Sequence, residues 1–427
     1  PRAGSLGSAQ GEPVPLGWAA DAALPAGGAE WIAQDGPAPA PGAELLPPTK
    51  QLAAAPLDEA AAAAQDGPAA VSEAELRRSM EEAALDVQPW EAGRFSFVRH
   101  LQDAVRNPAR VDLMLVGEGR SRQPVVVKRL PNWWIAAGPR EFEERQPKAI
   151  EFPWRDLGIV RRLNALGFPH ACTLLGVFRD EENTYAMTPY ASGGSLFAWS
   201  SQDTPPGRER EALMLPIVTQ IFDGVRWLHD YGIAHRDLSL ENIVLADAGH
   251  GRCEVKIIDF AMASLSQTSP GQVRGKPSYQ APEMHTGLAY DAFLADAFAL
   301  GVVIFGMALR DYPWTSTKPN TSQLFDHTSR YGLLSMLERQ RLRRVGGERD
   351  GPHLIDVLSP QIVELLEGLL QPQPQERWAL GEPCYDAAPG RRGSAFQAAW
   401  LGGAGAAGHA AVQQNPEGPS LVPASCS

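Results

Sequence analysis

A chain of 427 residues exceeds one average domain, yet residues 1–70 are mostly Ala, Gly and Pro, and the same bias returns from about Ala388. Such stretches hold too little bulky apolar surface to offset the entropy of ordering them, so 1–70 and 386–427 are expected as disordered tails around one large folded block. The net charge of −12 gathers in residues 1–90, with thirteen acids against four bases, which argues against nucleic acid or anionic membrane as a partner.

The four cysteines, Cys172, Cys253, Cys384 and Cys426, lie far apart and form no CxxC pair. That spacing argues against a zinc site or a disulfide framework and fits a reducing compartment, cytoplasmic or nuclear. The chain opens at Pro1 rather than Met, which leaves an N-terminal targeting segment open. No run of 18 uncharged apolar residues occurs. The nearest, 297–309, is too short to span a bilayer and follows Asp296, so a buried helix is expected and no membrane span.

Along the chain, Ser72 and Glu75 have capping-box spacing, and Leu76, Met80 and Leu85 are candidates for one apolar stripe, which predicts a short helix within a 71–91 linker. Strands follow at 95–101, 111–116 and 125–130. A helix is predicted from Pro153 through Leu157, Val160 and Leu163 to a stop at Gly167, then strands at 174–179 and 184–187. Beyond Gly193 and Gly194 the pattern turns helical. One helix carries Pro216 near its start, places Val218, Ile221, Phe222, Val225 and Leu228 on a face, and closes at Gly232. Strands first and helices afterwards predict an α+β fold with a β-rich and an α-rich half.

Three motifs stand in order: His235-Arg236-Asp237-Leu238-Ser239-Leu240-Glu241-Asn242, then Ile257-Ile258-Asp259-Phe260-Ala261, then Ala281-Pro282-Glu283. Together they resemble the catalytic loop, metal-binding motif and APE motif of eukaryotic protein kinases. Any one alone is weak, since an acidic loop is usually only solvated; the ordered set is specific. The resemblance implies a bilobal kinase domain over 92–385, with an N-lobe to 190 and a C-lobe from 191.

It implies ATP and Mg²⁺ as cofactors and a protein substrate, with phosphate passing to a Ser or Thr hydroxyl. Phosphoryl transfer asks mainly for aligned reactants and neutralised phosphate charge. On that reading Asp237 orients the incoming hydroxyl, Asn242 and Asp259 offer oxygens to magnesium, and Lys128 in Val125-Val126-Val127-Lys128 holds the α- and β-phosphates. A lysine ending an apolar strand is by itself more often a snorkelling edge residue. Thr188 corresponds to the gatekeeper, and the Pro189 carbonyl and Ala191 backbone to the adenine contacts. Asp296 is a lone charge in an apolar helix and needs donors, which in kinases come from the catalytic-loop backbone. Glu283 and Arg377 correspond to the family's buried pair. Arg236 implies regulation by phosphate in the activation segment, with Thr268 and Ser269 the favoured acceptors and Arg274 and Lys276 as further cations.

The sequence departs from the family pattern in four places. No glycine lies in 102–111, where a glycine-rich loop is expected, so ATP affinity should be weak; Arg106 or Arg110 is available to compensate. The acid pairing Lys128 is displaced, with Asp156 favoured over Glu151. Ala261 replaces the glycine after Asp259-Phe260, which disfavours positive φ there. Ser239 replaces a lysine that touches the γ-phosphate. These losses keep a pseudokinase, acting as a binding scaffold, as the alternative function.

Overall fold

The computed structural model describes residues 70–117, 119–249, 252–343, 349–385 and 392–402. The expected N-terminal tail therefore lies outside the described residues except for Ala70, as does most of the expected C-terminal one.

Helix α1 (Glu73–Leu85) starts on a reciprocal cap: the Ser72 hydroxyl accepts the Glu75 N–H, and the Glu75 carboxylate accepts the Ser72 N–H. Leu76, Met80 and Ala83 are buried, whereas Leu85 points outward and does not share the stripe.

Strands β1 (Phe95–Asp103), β2 (Arg110–Val116) and β3 (Gln123–Pro131) form an antiparallel meander. Helices α2 (Pro139–Arg145) and α3 (Pro153–Ala165) follow, before β4 (Gly176–Arg179) and β5 (Asn183–Pro189) return to the sheet. The order is Gln88–Pro89, β4, β5, β3, β2, β1, so the strand carrying Lys128 is central, flanked by β5 and β2. Alternation explains one face of the sheet, opposite Lys128: Val125, Val127, Tyr185 and Met187 are buried there, and Trp90 stacks at 4.0 Å on both Phe95 and Tyr185.

The second half is built on α4 (Arg208–Asp230), the hairpin β6 (Ile243–Asp247) and β7 (Cys253–Ile257), then α5 (Ala292–Leu309), α6 (Gln323–Arg339) and α7 (Pro360–Leu369). Pro216 lies inside α4 rather than near its start, because the helix already begins at Arg208. Helix α5 is longer than expected, 18 residues, because Asp291 caps it by accepting the Phe293 and Leu294 N–H groups. It is long and apolar enough to cross a bilayer, but every residue is buried inside the α-rich half.

The expected tail boundary at 386 needs correction. Residues 392–402 pack on the C-terminal half, with Ala395, Ala398, Trp400 and Leu401 buried. The Ala395 N–H donates to Ala379 O at 2.9 Å, fixing the segment to backbone. Few apolar side chains suffice here because the surface that receives them is already formed.

Candidate active site

Lys128 Nζ lies 3.2 Å from Asp156 Oδ2 and 3.3 Å from Asp259 Oδ1. The β3 register delivers the lysine, and the first turn of α3 delivers Asp156, whose other oxygen accepts the Phe260 N–H at 2.9 Å. One carboxylate thus ties the lysine strand to the Asp259 turn. Burial opposes charge on Lys128, but Asp259 and Asp156 hold it protonated well above the ordinary lysine range. Asp259 is held below the usual carboxylate range because Lys128 and His235 outweigh its burial.

The loop carrying Asp237 is fixed from beneath by Asp296. Its Oδ2 accepts the His235 N–H at 2.7 Å and its Oδ1 accepts the Arg236 N–H at 2.8 Å. These two donors bend the backbone so that Arg236 takes φ 67°. Asn242 Nδ2 donates to the Asp237 carbonyl (2.8 Å) and to Oδ2 (3.1 Å), while Oδ1 is buried with no partner. Burial raises the Asp237 pKa, opposed by Arg106 and Lys276. A buried carboxylate oxygen without a donor is uncommon.

Glu151 does not reach Lys128. It accepts from Arg106 and Asn107 in the loop between β1 and β2. Arg106 Nη1 also lies 3.3 Å from Asp237 Oδ2. Arg110 takes no part, because its Nε pairs with Asp112 at 2.8 Å. Ala261 meets no conformational penalty: the left-handed residue of this turn is Asp259, at φ 66°, and Asp tolerates that region better than most residues.

A model for "Protein kinase domain" matches residues 137–386. Similar proteins include the probable serine/threonine-protein kinase KCC4 of Saccharomyces cerevisiae, 34% identical over 38% of this chain and 15% of its own length. NUAK family SNF1-like kinase 1 of Homo sapiens is 31% identical over 38% of this chain and 24% of its own. CBL-interacting serine/threonine-protein kinase 17 of Arabidopsis thaliana is 32% identical over 34% of this chain and 33% of its own. The chain thus spans no more than a third of any of these three relatives. It belongs to the protein kinase family. The match begins at 137, so in this kinase domain the sheet strands β1, β2 and β3, with Lys128, precede the matched segment.

Where the hinge is expected, Thr188 opposes Val126 and Pro189 opposes Val125 across the sheet; Thr188 is half-buried and Pro189 exposed. The Ala191 carbonyl accepts the Gly194 N–H at 3.1 Å, so one of the expected adenine contacts already has a donor. In the C-lobe, Arg377 is wholly buried and donates to Glu283 at 2.5 and 2.9 Å, to Leu294 O at 2.9 Å, and lies over the Phe298 ring at 4.9 Å.

Within the activation segment, Thr268 and Ser269 form a short ladder with Asp291 and Tyr290, Thr268 exposed and Ser269 buried. Among the described residues no bond joins either to Arg236. Arg236 Nη2 donates instead to Gln272 Oε1 and to Tyr290 OH, each at 3.3 Å. Arg274 lines a hollow with Arg236, Lys148 and Arg155. Lys276 goes elsewhere, donating to Ser239 Oγ at 2.9 Å and Glu241 Oε2 at 2.8 Å.

Sequence reasoning did not find Arg155, His229 or Glu382. His229 bridges Asp296 (3.3 Å) and Glu382 (2.6 Å) within the core. Only the lone Asp296, which needed donors, pointed toward such a partner.

Proposed function

We propose that this domain transfers the γ-phosphate of ATP to Ser or Thr hydroxyls of protein substrates, with Mg²⁺. The observation that carries the reading is the convergence of Lys128, Asp259, Asn242 and Asp237 on one cleft, with Asp237 Oδ1 buried and unpartnered. The donor set fits a hard cation: Asp259 offers a carboxylate, and Asn242 spends its nitrogen on Asp237, while its oxygen has no hydrogen-bond donor among the described residues. Magnesium, when bound, neutralises phosphate charge.

Asp237 accepts the hydrogen bond of the substrate hydroxyl through Oδ1 and orients it. Asn242 holds Oδ2 so that the carboxylate does not rotate. Lys128, kept cationic by Asp156, binds phosphate oxygens, and Thr188, Pro189 and Ala191 line the edge that receives the base. Asp296 holds the loop, and the Arg377–Glu283 pair holds the end of the activation segment.

The experiment is transfer of labelled phosphate from ATP to a generic protein, with magnesium and with EDTA. Magnesium-dependent labelling of Ser or Thr, lost in Asp237→Asn, is the expected result. Nucleotide binding with no transfer above that variant would return the scaffold reading.

A further inference from the structure

The loop at 104–109 lacks glycine, yet it directs Arg106 onto Asp237 rather than into solvent. The Ala104 N–H donates to Ala109 O and the Ala109 N–H to Asn107 Oδ1, each at 2.8 Å, which closes the loop on itself. Asn107 Nδ2 then ties it to Glu151, on the stretch leading into α3. Between these anchors Arg106 turns inward, its side chain 22% exposed while neighbouring Val105 is 95% exposed.

Both bonds of Arg106 come from one nitrogen. Nη1 reaches Glu151 Oε1 at 3.5 Å and Asp237 Oδ2 at 3.3 Å. Nη2 and Nε have no hydrogen-bond partner among the described residues. A guanidinium has a planar fork that fits two oxygens of one phosphate, and here half of that fork is uncommitted beside the base. The need for such a group is visible in the same cleft. Backbone amides without glycine stand off from a phosphate, and Ser239 carries no charge. Asp237 is flanked instead by two cations from outside its own loop, Arg106 from the N-lobe and Lys276 from the activation segment.

We propose that Arg106 is the γ-phosphate-binding group of this domain, a side-chain clamp in the place of a glycine-rich backbone cradle. The assignment rests on the phosphotransfer reading for its purpose, but it is a statement about binding. A clamp at the terminal phosphate separates triphosphate from diphosphate, since only the former reaches beside Asp237. The same guanidinium lies against Asp237 and Glu151, so the loop is already closed where it acts.

The test is equilibrium binding, on the full chain with magnesium, of a non-hydrolysable ATP analogue and of ADP to the native protein, Arg106→Gln and Arg106→Lys. The expected result is an analogue affinity roughly ten-fold or more weaker in Arg106→Gln, ADP affinity changed less than about two-fold, and Arg106→Lys between the two. A thermal melt of each variant reports folding, and Arg106→Lys keeps the charge if the neutral variant unfolds. Equal weakening of both nucleotides, no weakening of either, or faster transfer with unchanged affinity would overturn the proposal, the last making Arg106 an inhibitory latch. A native chain that prefers the analogue over ADP but transfers no phosphate would refute the phosphotransfer reading and leave the clamp standing.

Discussion

Gly158 of α3 backs directly onto Met80 of α1: a Cβ built on Gly158 would lie 2.5 Å from Met80 Cγ and 3.2 Å from the Met80 backbone nitrogen. The Ser79 hydroxyl donates to Gly158 O at 2.9 Å, and Arg162 and Arg161 pair with Glu75 and Asp86 at 2.7 Å each. The exposed ion pairs contribute little; the close helix contact and the buried bond set the position of α3. Because α3 carries Asp156, α1 supports the Lys128 site from behind.

Gly158→Val should therefore push α1 off α3, destabilising the domain by about 1–3 kcal/mol and lowering transfer more than nucleotide binding. Hydrogen exchange over residues 73–85 should rise in the variant. Unchanged protection of α1 would show that the helices repack without separating.

Asp237→Asn keeps the size of the side chain and removes the acceptor charge. Transfer should fall by roughly 10²-fold or more, the usual scale for a positioned base, with nucleotide affinity largely kept. Steady-state rates alongside binding titrations check this, and equal turnover would remove Asp237 from its assigned role.

His229 sits fully buried between Asp296 and Glu382, and its pKa is pushed up to about 9: burial opposes the charge, but the two carboxylates outweigh it. The folded pKa exceeds the unfolded value of about 6.5, so the stabilisation is complete below pH 6.5 and is lost as pH rises through 9. At about 1.4 kcal/mol per pKa unit, a shift of this direction and size corresponds to a contribution on the order of 3 kcal/mol. Denaturant titrations from pH 6 to pH 10 should show that decline in the native chain. His229→Gln should be flatter across the window and less stable at pH 6, because a carboxylate pair is left without its cation. An equal slope in both proteins would assign the pH dependence to other groups.

Residues 392–402 supply a test of the C-terminal boundary. Trp400→Ala removes a side chain only 8% exposed and should cost on the order of 3 kcal/mol. Ending the chain at 391 should cost at least as much, since Ala395, Ala398 and Leu401 leave with it. Melting temperatures decide the matter; an unchanged value for the truncated chain would return the boundary to 386.

Much of this was legible because the signals are local. The Ser72–Glu75 cap, the alternation in β3 and β5 and the three ordered motifs each depend on neighbours a few residues away. Asp156 was reachable by one turn of helix from its expected place, and Asp296 by the expense of a lone buried charge. Arg106 and Lys276 were not resolvable, because their partners lie 131 and 37 residues away and nothing in a loop sequence says which cation turns inward. Residues 392–402 were misread because their composition resembles the flanking Ala/Gly-rich stretch, while the receptor surface that buries them is built from distant residues.

The last prediction concerns the hollow beneath the activation segment. Arg155, Arg236 and Arg274 line it together with Lys148, and the Nε atoms of Arg155 and Arg236 are buried with no partner. Burial, and repulsion from Arg236, lower the pKa of both Arg155 and Arg274. Clustered guanidiniums with unused donors need an anion, and a phosphorylated hydroxyl would satisfy them through charge-assisted bonds. Thr268 and Ser269 are the favoured acceptors, yet here they pair with Asp291 and Tyr290, and phosphate on Thr268 would stand beside the Asp291 carboxylate. Phosphorylation there should therefore break the short ladder and release the segment toward the arginines. Autophosphorylated protein should carry phosphate on the segment by mass spectrometry, and phosphatase should lower activity several-fold. Arg155→Ala should abolish that sensitivity while leaving the phosphate in place, because it removes a receiver and not the acceptor. If Thr268→Ala/Ser269→Ala retains full activity and full phosphatase sensitivity, another hydroxyl fills the hollow. Ser264 and Ser266, the other candidate acceptors in the segment, are then the sites to substitute.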